Sequence, residues 1–369
     1  MSIQVSPEQL QKLSDCLLNV KGDTPLHERF RALFTLKAVG GDEVVEIVAK
    51  GFADPSALLK HELAYVLGQI KNLKAVPHLE AVLIDADGFQ GEMVRHEAAE
   101  ALGALSSVQS LDLLKKYKTD ESRSVRETCE IAVDKIEYDH FTEEGRARQL
   151  DPNFPTTDPA PASLPTEDES TSSLRSTLLD TSIPLFKRYR AMFALRNIVA
   201  RSSGVKGKED EARAGVQALA DGFKDGSALF RHEIAYIFGQ LSSPYSIPSL
   251  LYVMRDSAED DMVRHEAAEA LGGIASEGDE GVEGELYENE EDKQKGVLGI
   301  LREWSTLESA PPVVRESCQV ALDMYEYENS NQFQYADGLK TDDSAPVEQT
   351  PAQRLTGMDR GVDLTSIMA

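Results

Sequence analysis

Four histidines, each followed at once by a glutamate, stand at His61-Glu62, His96-Glu97, His232-Glu233 and His265-Glu266. Imidazole and carboxylate together bind transition metals or move protons, so their placement decides between chemistry and packing. They take four of the seven histidines in a chain of 369 residues. Two pairs lie in the same ten letters, "VRHEAAEALG", at Val94–Gly103 and Val263–Gly272. The other two lie in "KHELAYVLGQI" (Lys60–Ile70) and "RHEIAYIFGQL" (Arg231–Leu241). A fifth pair, His27-Glu28, has no histidine in its counterpart "PLFKRYR" and reads as structural, as do the lone His78 and His140.

A third pair of related segments separates site from scaffold. "VRETCEIAVDKIEY" (Val125–Tyr138) and "VRESCQVALDMYEY" (Val314–Tyr327) keep the glutamate as Glu127 and Glu316 but carry Arg126 and Arg315 before it. The glutamate therefore belongs to the general repeat, and histidine is added where a site would be. Four imidazoles with carboxylates and no thiolate argue against structural zinc. Calcium and magnesium sites built of oxygen do not use four histidines. Two histidines and one carboxylate per half form the facial set of non-haem iron enzymes, which predicts two iron ions in one dinuclear centre. On ligand type alone, copper, manganese and dizinc hydrolase chemistry stay open.

The elements that must position these groups are repeats. "FRALFTLKAV" (Phe30–Val39) also matches "YRAMFALRNI" (Tyr189–Ile198), so each half carries four related units in one order. His61 lies 35 residues before His96, and His96 lies 30 before Arg126, a spacing that suits one helical hairpin per unit. Small and apolar residues recur every three or four positions, as a packed helix face requires. The reading is all-α: a superhelical α-hairpin solenoid of eight HEAT-like repeats in two pseudo-symmetric halves of four. "TPLH" at Thr24–His27 mimics an ankyrin signature but never recurs. The second helices of successive units line one concave surface, and packed helices lie about 8–10 Å apart, so histidines of adjacent units can meet over an ion.

By residue number the expected organisation is an N-terminal half at 1–149, a flexible linker at 150–182, a C-terminal half at 183–328 and a disordered tail at 329–369. The linker expectation rests on the proline, serine, threonine and acid content of "LDPNFPTTDPAPASLPTEDESTSS". The second half holds an insert near Arg201–Arg213 and an acidic loop near 277–292. The net charge of -26 argues against nucleic acid as partner, since phosphate binding needs a basic face. It suits a cationic partner. Cys16, Cys129 and Cys318 form no CxxC pair, and the matched Cys129 and Cys318 read as small buried thiols. No signal peptide and no run of about 18 apolar residues is present, so no membrane partner and a reduced, cytoplasmic setting are expected, with the nucleus as a second compartment.

Units split four and four, with His-Glu pairs in the second and third of each half, resemble the deoxyhypusine hydroxylases. The resemblance spans about Pro25–Tyr138 and Ile183–Tyr327, and all four pairs are present without substitution. It implies that His61, His96 and Glu97 hold one iron and that His232, His265 and Glu266 hold the other. It implies that Glu62 and Glu233 hold the amine of the substrate, a deoxyhypusine side chain on a translation factor, with dioxygen as co-substrate. Adjacent helix positions diverge by roughly 100°, so the two members of a pair can serve different roles. Met93 and Met262, three residues before His96 and His265, either shape the substrate entrance or pack the repeat. A monomer is expected. Against this stand a metal-free binding scaffold, for which HEAT arrays are often used, a metallohydrolase, and a HEAT-like bilin lyase, for which no tetrapyrrole cysteine is evident.

Overall fold

The computed structural model describes residues 5–148, 154, 156–163, 170–277 and 286–328. Among these residues the secondary structure is helical, without strands. The first half runs α1 (Pro7–Leu17), α2 (Leu26–Val39), α3 (Asp42–Lys50), α4 (Ala57–Ile70), α5 (Val76–Ile84), α6 (Glu92–Ala104), α7 (Leu111–Tyr117) and α8 (Arg123–Phe141). A short α9 (Glu143–Ala147) follows. The second half runs α10 (Thr171–Leu179), α11 (Leu185–Ser202), α12 (Glu209–Ala220), α13 (Ala228–Leu241), α14 (Ile247–Arg255), α15 (Asp261–Glu277), α16 (Glu290–Thr306) and α17 (Pro312–Glu328). No helix among the described residues is long and apolar enough to cross a membrane.

The even-numbered helices of the first half and the odd-numbered helices of the second stack along the chain, α4 on α6 on α8 and α13 on α15 on α17. Small residues set how closely they approach. A Cβ on Gly103 would lie 3.1 Å from Ala132, and one on Gly272 would lie 2.6 Å from the Ala321 Cβ. The last letter of the repeated decapeptide is therefore a packing residue. Its arginine is another: Arg95 Nε donates to the Leu83 carbonyl at 3.1 Å and Arg264 Nε to the Met254 carbonyl at 3.0 Å. Each ties a second helix to the open C-terminus of the helix before it, where carbonyls lack helical partners. Arg29 and Arg188 do the same with Leu17 and Leu178, at 2.9 and 2.8 Å.

The helices that carry His61 and His232, α4 and α13, start at serine caps. Ser56 Oγ accepts from the Leu59 amide and Ser227 Oγ from the Phe230 amide, each at 3.1 Å. The same hydroxyls latch the halves together. Ser56 donates to Glu316 at 3.1 Å, and Ser227 donates to Glu127. So the glutamates that persist in the fourth units bond across to the second units of the opposite half. Ile131 of α8 packs in the core of the second half, and its counterpart Val320 of α17 packs in the core of the first.

The expectation of a flexible linker needs correcting. Thr171–Leu179 forms α10, and the described residues between 154 and 163 are largely buried. The Thr157 amide donates to Gln69 Oε1 at 2.9 Å, and Gln240 Nε2 donates to Thr156 Oγ1 at 3.0 Å. Arg196 holds both Asp158 carboxylate oxygens at 2.8 Å and lies 3.8 Å from the centre of the Phe154 ring. The segment is a strap seated on equivalent glutamines of the two halves. It has few apolar residues, but its polar groups find buried partners, which composition alone does not reveal. The Arg201–Arg213 insert is shorter than expected, because α11 reaches Ser202 and α12 begins at Glu209. The acidic loop lies outside the described residues at 278–285, and the tail lies outside them from 329.

Candidate metal centre

All four histidines of the in-phase pairs converge. The His61 ring lies 5.5 Å from that of His96, 5.8 Å from His232 and 5.2 Å from His265, centre to centre. His96 lies 5.4 Å from His232, and His232 lies 5.6 Å from His265. His61 and His232 enter from α4 and α13, and His96 and His265 from α6 and α15. Within each half the histidine of one pair meets the glutamate of the next. His61 Nε2 is 3.3 Å from Glu97 Oε2, and His232 Nε2 is 3.2 Å from Glu266 Oε2. The donor atoms of His61, His96 and Glu97 come within 4.8 Å of one another, as do those of His61, His232 and His265, and those of His265, Glu266 and Glu269.

Of these, His61, Glu97, His232, Glu266 and Glu269 line one cavity together with Glu62, Glu233, Glu100, Tyr65 and Tyr236. Sequence reasoning missed Glu100, Glu269, Tyr65 and Tyr236. Each stands four residues after a histidine of the set, the spacing that keeps two side chains on one helix face, so the signal was present. His27 is elsewhere, 3.7 Å from Asp323. Met262 is in the core and Met93 packs against both cores, which is the packing role rather than a view into the cavity. Cys129 and Cys318 are buried, and burial pushes their thiols up to about 12, so neither is a nucleophile.

The electrostatics are unbalanced without a cation. Burial pushes the Glu62 and Glu269 carboxyls up to about 7, and raises Glu100, Glu233 and Glu266 well above the usual range. Burial lowers His96 and His265, and takes His232 down to about 4. His61 is the exception. Burial opposes its charge, but the carboxylates of Glu97 and Glu62 outweigh burial and hold it above the usual range. Both ring nitrogens of His96 and of His232, Nε2 of His265 and Oε1 of Glu233 are buried without a hydrogen-bond partner. Neutral imidazoles with free lone pairs beside crowded carboxylates are what a divalent transition metal requires, and such a metal would relieve the repulsion.

Fold and centre together define a HEAT-like solenoid with a buried histidine–carboxylate cluster that could hold a metal ion. The PBS lyase HEAT-like repeat family matches residues 94–120. The chain is 60% identical to the deoxyhypusine hydroxylase of Cryptococcus neoformans over 98% of this chain and 96% of that one. It is 45% identical to the deoxyhypusine hydroxylase of mouse over 91% of this chain and 98% of that one. The structure of human deoxyhypusine hydroxylase in complex with glycerol matches with a TM-score of 0.71 and 40% identity, covering 86% of this chain and 96% of that one. The chain belongs to the deoxyhypusine hydroxylase family and is an enzyme.

Proposed function

We propose that the enzyme hydroxylates the deoxyhypusine side chain of a translation factor at a dinuclear iron centre. His61, His96 and Glu97 would hold one iron, and His232, His265 and Glu266 the other. Iron in such a set supplies activation of dioxygen for insertion into a C–H bond. The protein's own part is positional. Glu62 and Glu233 follow the ligands His61 and His232 in sequence, so they point to a different side of the helix while lining the same cavity. They would hold the cationic amines of the substrate by charge-assisted hydrogen bonds and so fix which C–H bond is presented.

The carrying observation is the meeting of four buried imidazoles, from two halves, each with at least one ring nitrogen without a hydrogen-bond partner. A scaffold needs no such cost, because a buried polar atom without a partner destabilises the fold. Metal analysis of gently purified protein checks the reading. About two irons per chain are expected, reduced in His61→Ala and His232→Ala. Metal-free protein that still binds its partner would leave a binding scaffold as the better account. For the carboxylates, Glu62→Gln and Glu233→Gln should weaken substrate binding while keeping the metal.

A further inference from the structure

The histidines are held by different partners in the two halves. His265 Nδ1 lies 3.4 Å from Glu269 Oε1, and that same oxygen accepts from the Ser317 hydroxyl at 2.8 Å. All three residues are buried, and His265 keeps only Nε2 without a partner. The counterparts of Glu269 and Ser317 are Glu100 and Thr128. Thr128 donates instead to the Ser124 carbonyl of its own helix at 2.9 Å, the backbone bond a helical threonine readily makes. His96 has neither nitrogen paired. The first half fixes His61 instead, with Nδ1 3.2 Å from Glu62, a carboxylate assigned above to the substrate amine.

We infer that Glu269 and Ser317 are positioning residues that fix His265, so that the metal of the second half keeps its ligand geometry independently of substrate. The inference rests on the proposed metal centre. A histidine ligand whose far nitrogen donates to a held carboxylate is fixed in tautomer and ring orientation, and losing such a partner costs about 10–100-fold in metal affinity. In the first half the corresponding carboxylate is shared with substrate, so that metal is the one whose surroundings change during turnover.

The test follows iron release from the loaded enzyme to a chelator. Two phases are expected, and Ser317→Ala should speed the slower one about 10-fold or more. Thr128→Ala, the same truncation in the other half, should change neither. Glu269→Ala should match or exceed Ser317→Ala, and Glu269→Gln should restore slow release, because its amide oxygen still accepts from Nδ1. Equal effects of Ser317→Ala and Thr128→Ala would overturn the inference while leaving the metal centre intact. So would outright loss of one iron in Glu269→Ala, which would make Glu269 a direct ligand. Protein holding no iron at all would remove both this inference and the function it rests on.

Discussion

The two halves agree at the candidate ligands and disagree around them. His61 faces Glu97 as His232 faces Glu266, and the contacts differ by 0.1 Å. The serine–glutamate latches are likewise reciprocal. The neighbours are not. Arg196 is clamped by Asp158 of the strap, whereas its counterpart Lys37 lies 4.9 Å from the Tyr65 ring centre, with burial lowering its ammonium to about 8 against the pull of Glu62. Arg31 pairs with Asp323 across the halves, while its counterpart Arg190 turns to Glu144 and the strap. Duplication has been kept at the histidine–glutamate contacts of the centre and relaxed in the residues around them.

The equality of the ligands is the first thing to break. His61→Ala and His232→Ala should each lower hydroxylation by about a thousandfold, the scale of losing several kcal/mol of metal assistance. Each should retain about one metal. Loss of both metals in either variant would mean that the halves do not bind independently, and metal analysis beside a single-turnover assay separates the cases.

The inequality at Arg196 and Lys37 is next. Arg196→Met leaves Asp158 facing a largely buried site without its partner, and should cost about 3 kcal/mol in urea unfolding. Lys37→Met removes a charge that burial already disfavours and should cost less than about 1 kcal/mol. Equal costs would show that the strap contributes little. The latches should then return the symmetric result. Ser56→Ala and Ser227→Ala each lose a helix cap and should cost about 1 kcal/mol apiece. The double variant should cost about their sum, because the sites share no partner.

The repeat order, the helical class and the six candidate ligands were legible because duplication exposes them. Two aligned copies show which letters vary with the unit and which do not, and "VRETC" beside "VRHEA" isolates the histidine. The strap was not legible. It is held by Gln69, Gln240 and Arg196, residues distant in sequence whose amide and guanidinium groups satisfy the Thr157 backbone, the Thr156 hydroxyl and Asp158. Glu269 was readable as a helical neighbour of His265, but its role depends on Ser317, 48 residues on, and on Thr128 bonding elsewhere. A serine–threonine difference carries no sign of which way the hydroxyl points.

The smallest effect separates the imidazoles from the carboxylates through pH. In metal-free protein, Glu62 and Glu269 titrate at about 7 rather than 4.5, so the folded state holds more protons than the unfolded state between those values, and stability falls as pH rises through that window. His232 acts oppositely. Its folded value of about 4 against 6.5 means that stability rises as pH climbs between them, and the lowered His96 and His265 add to that rise. Below pH 6.5 the two trends offset each other. Above it the three lowered imidazoles are neutral in both states and only the carboxylates, with His61, still titrate. The thermal midpoint of metal-free protein should therefore drop by a few degrees between pH 6.5 and 8, and iron-loaded protein should not follow, since bound metal favours the ionised carboxylates. A metal-free midpoint that climbs over that range would show that the buried carboxylates are not the groups carrying the repulsion.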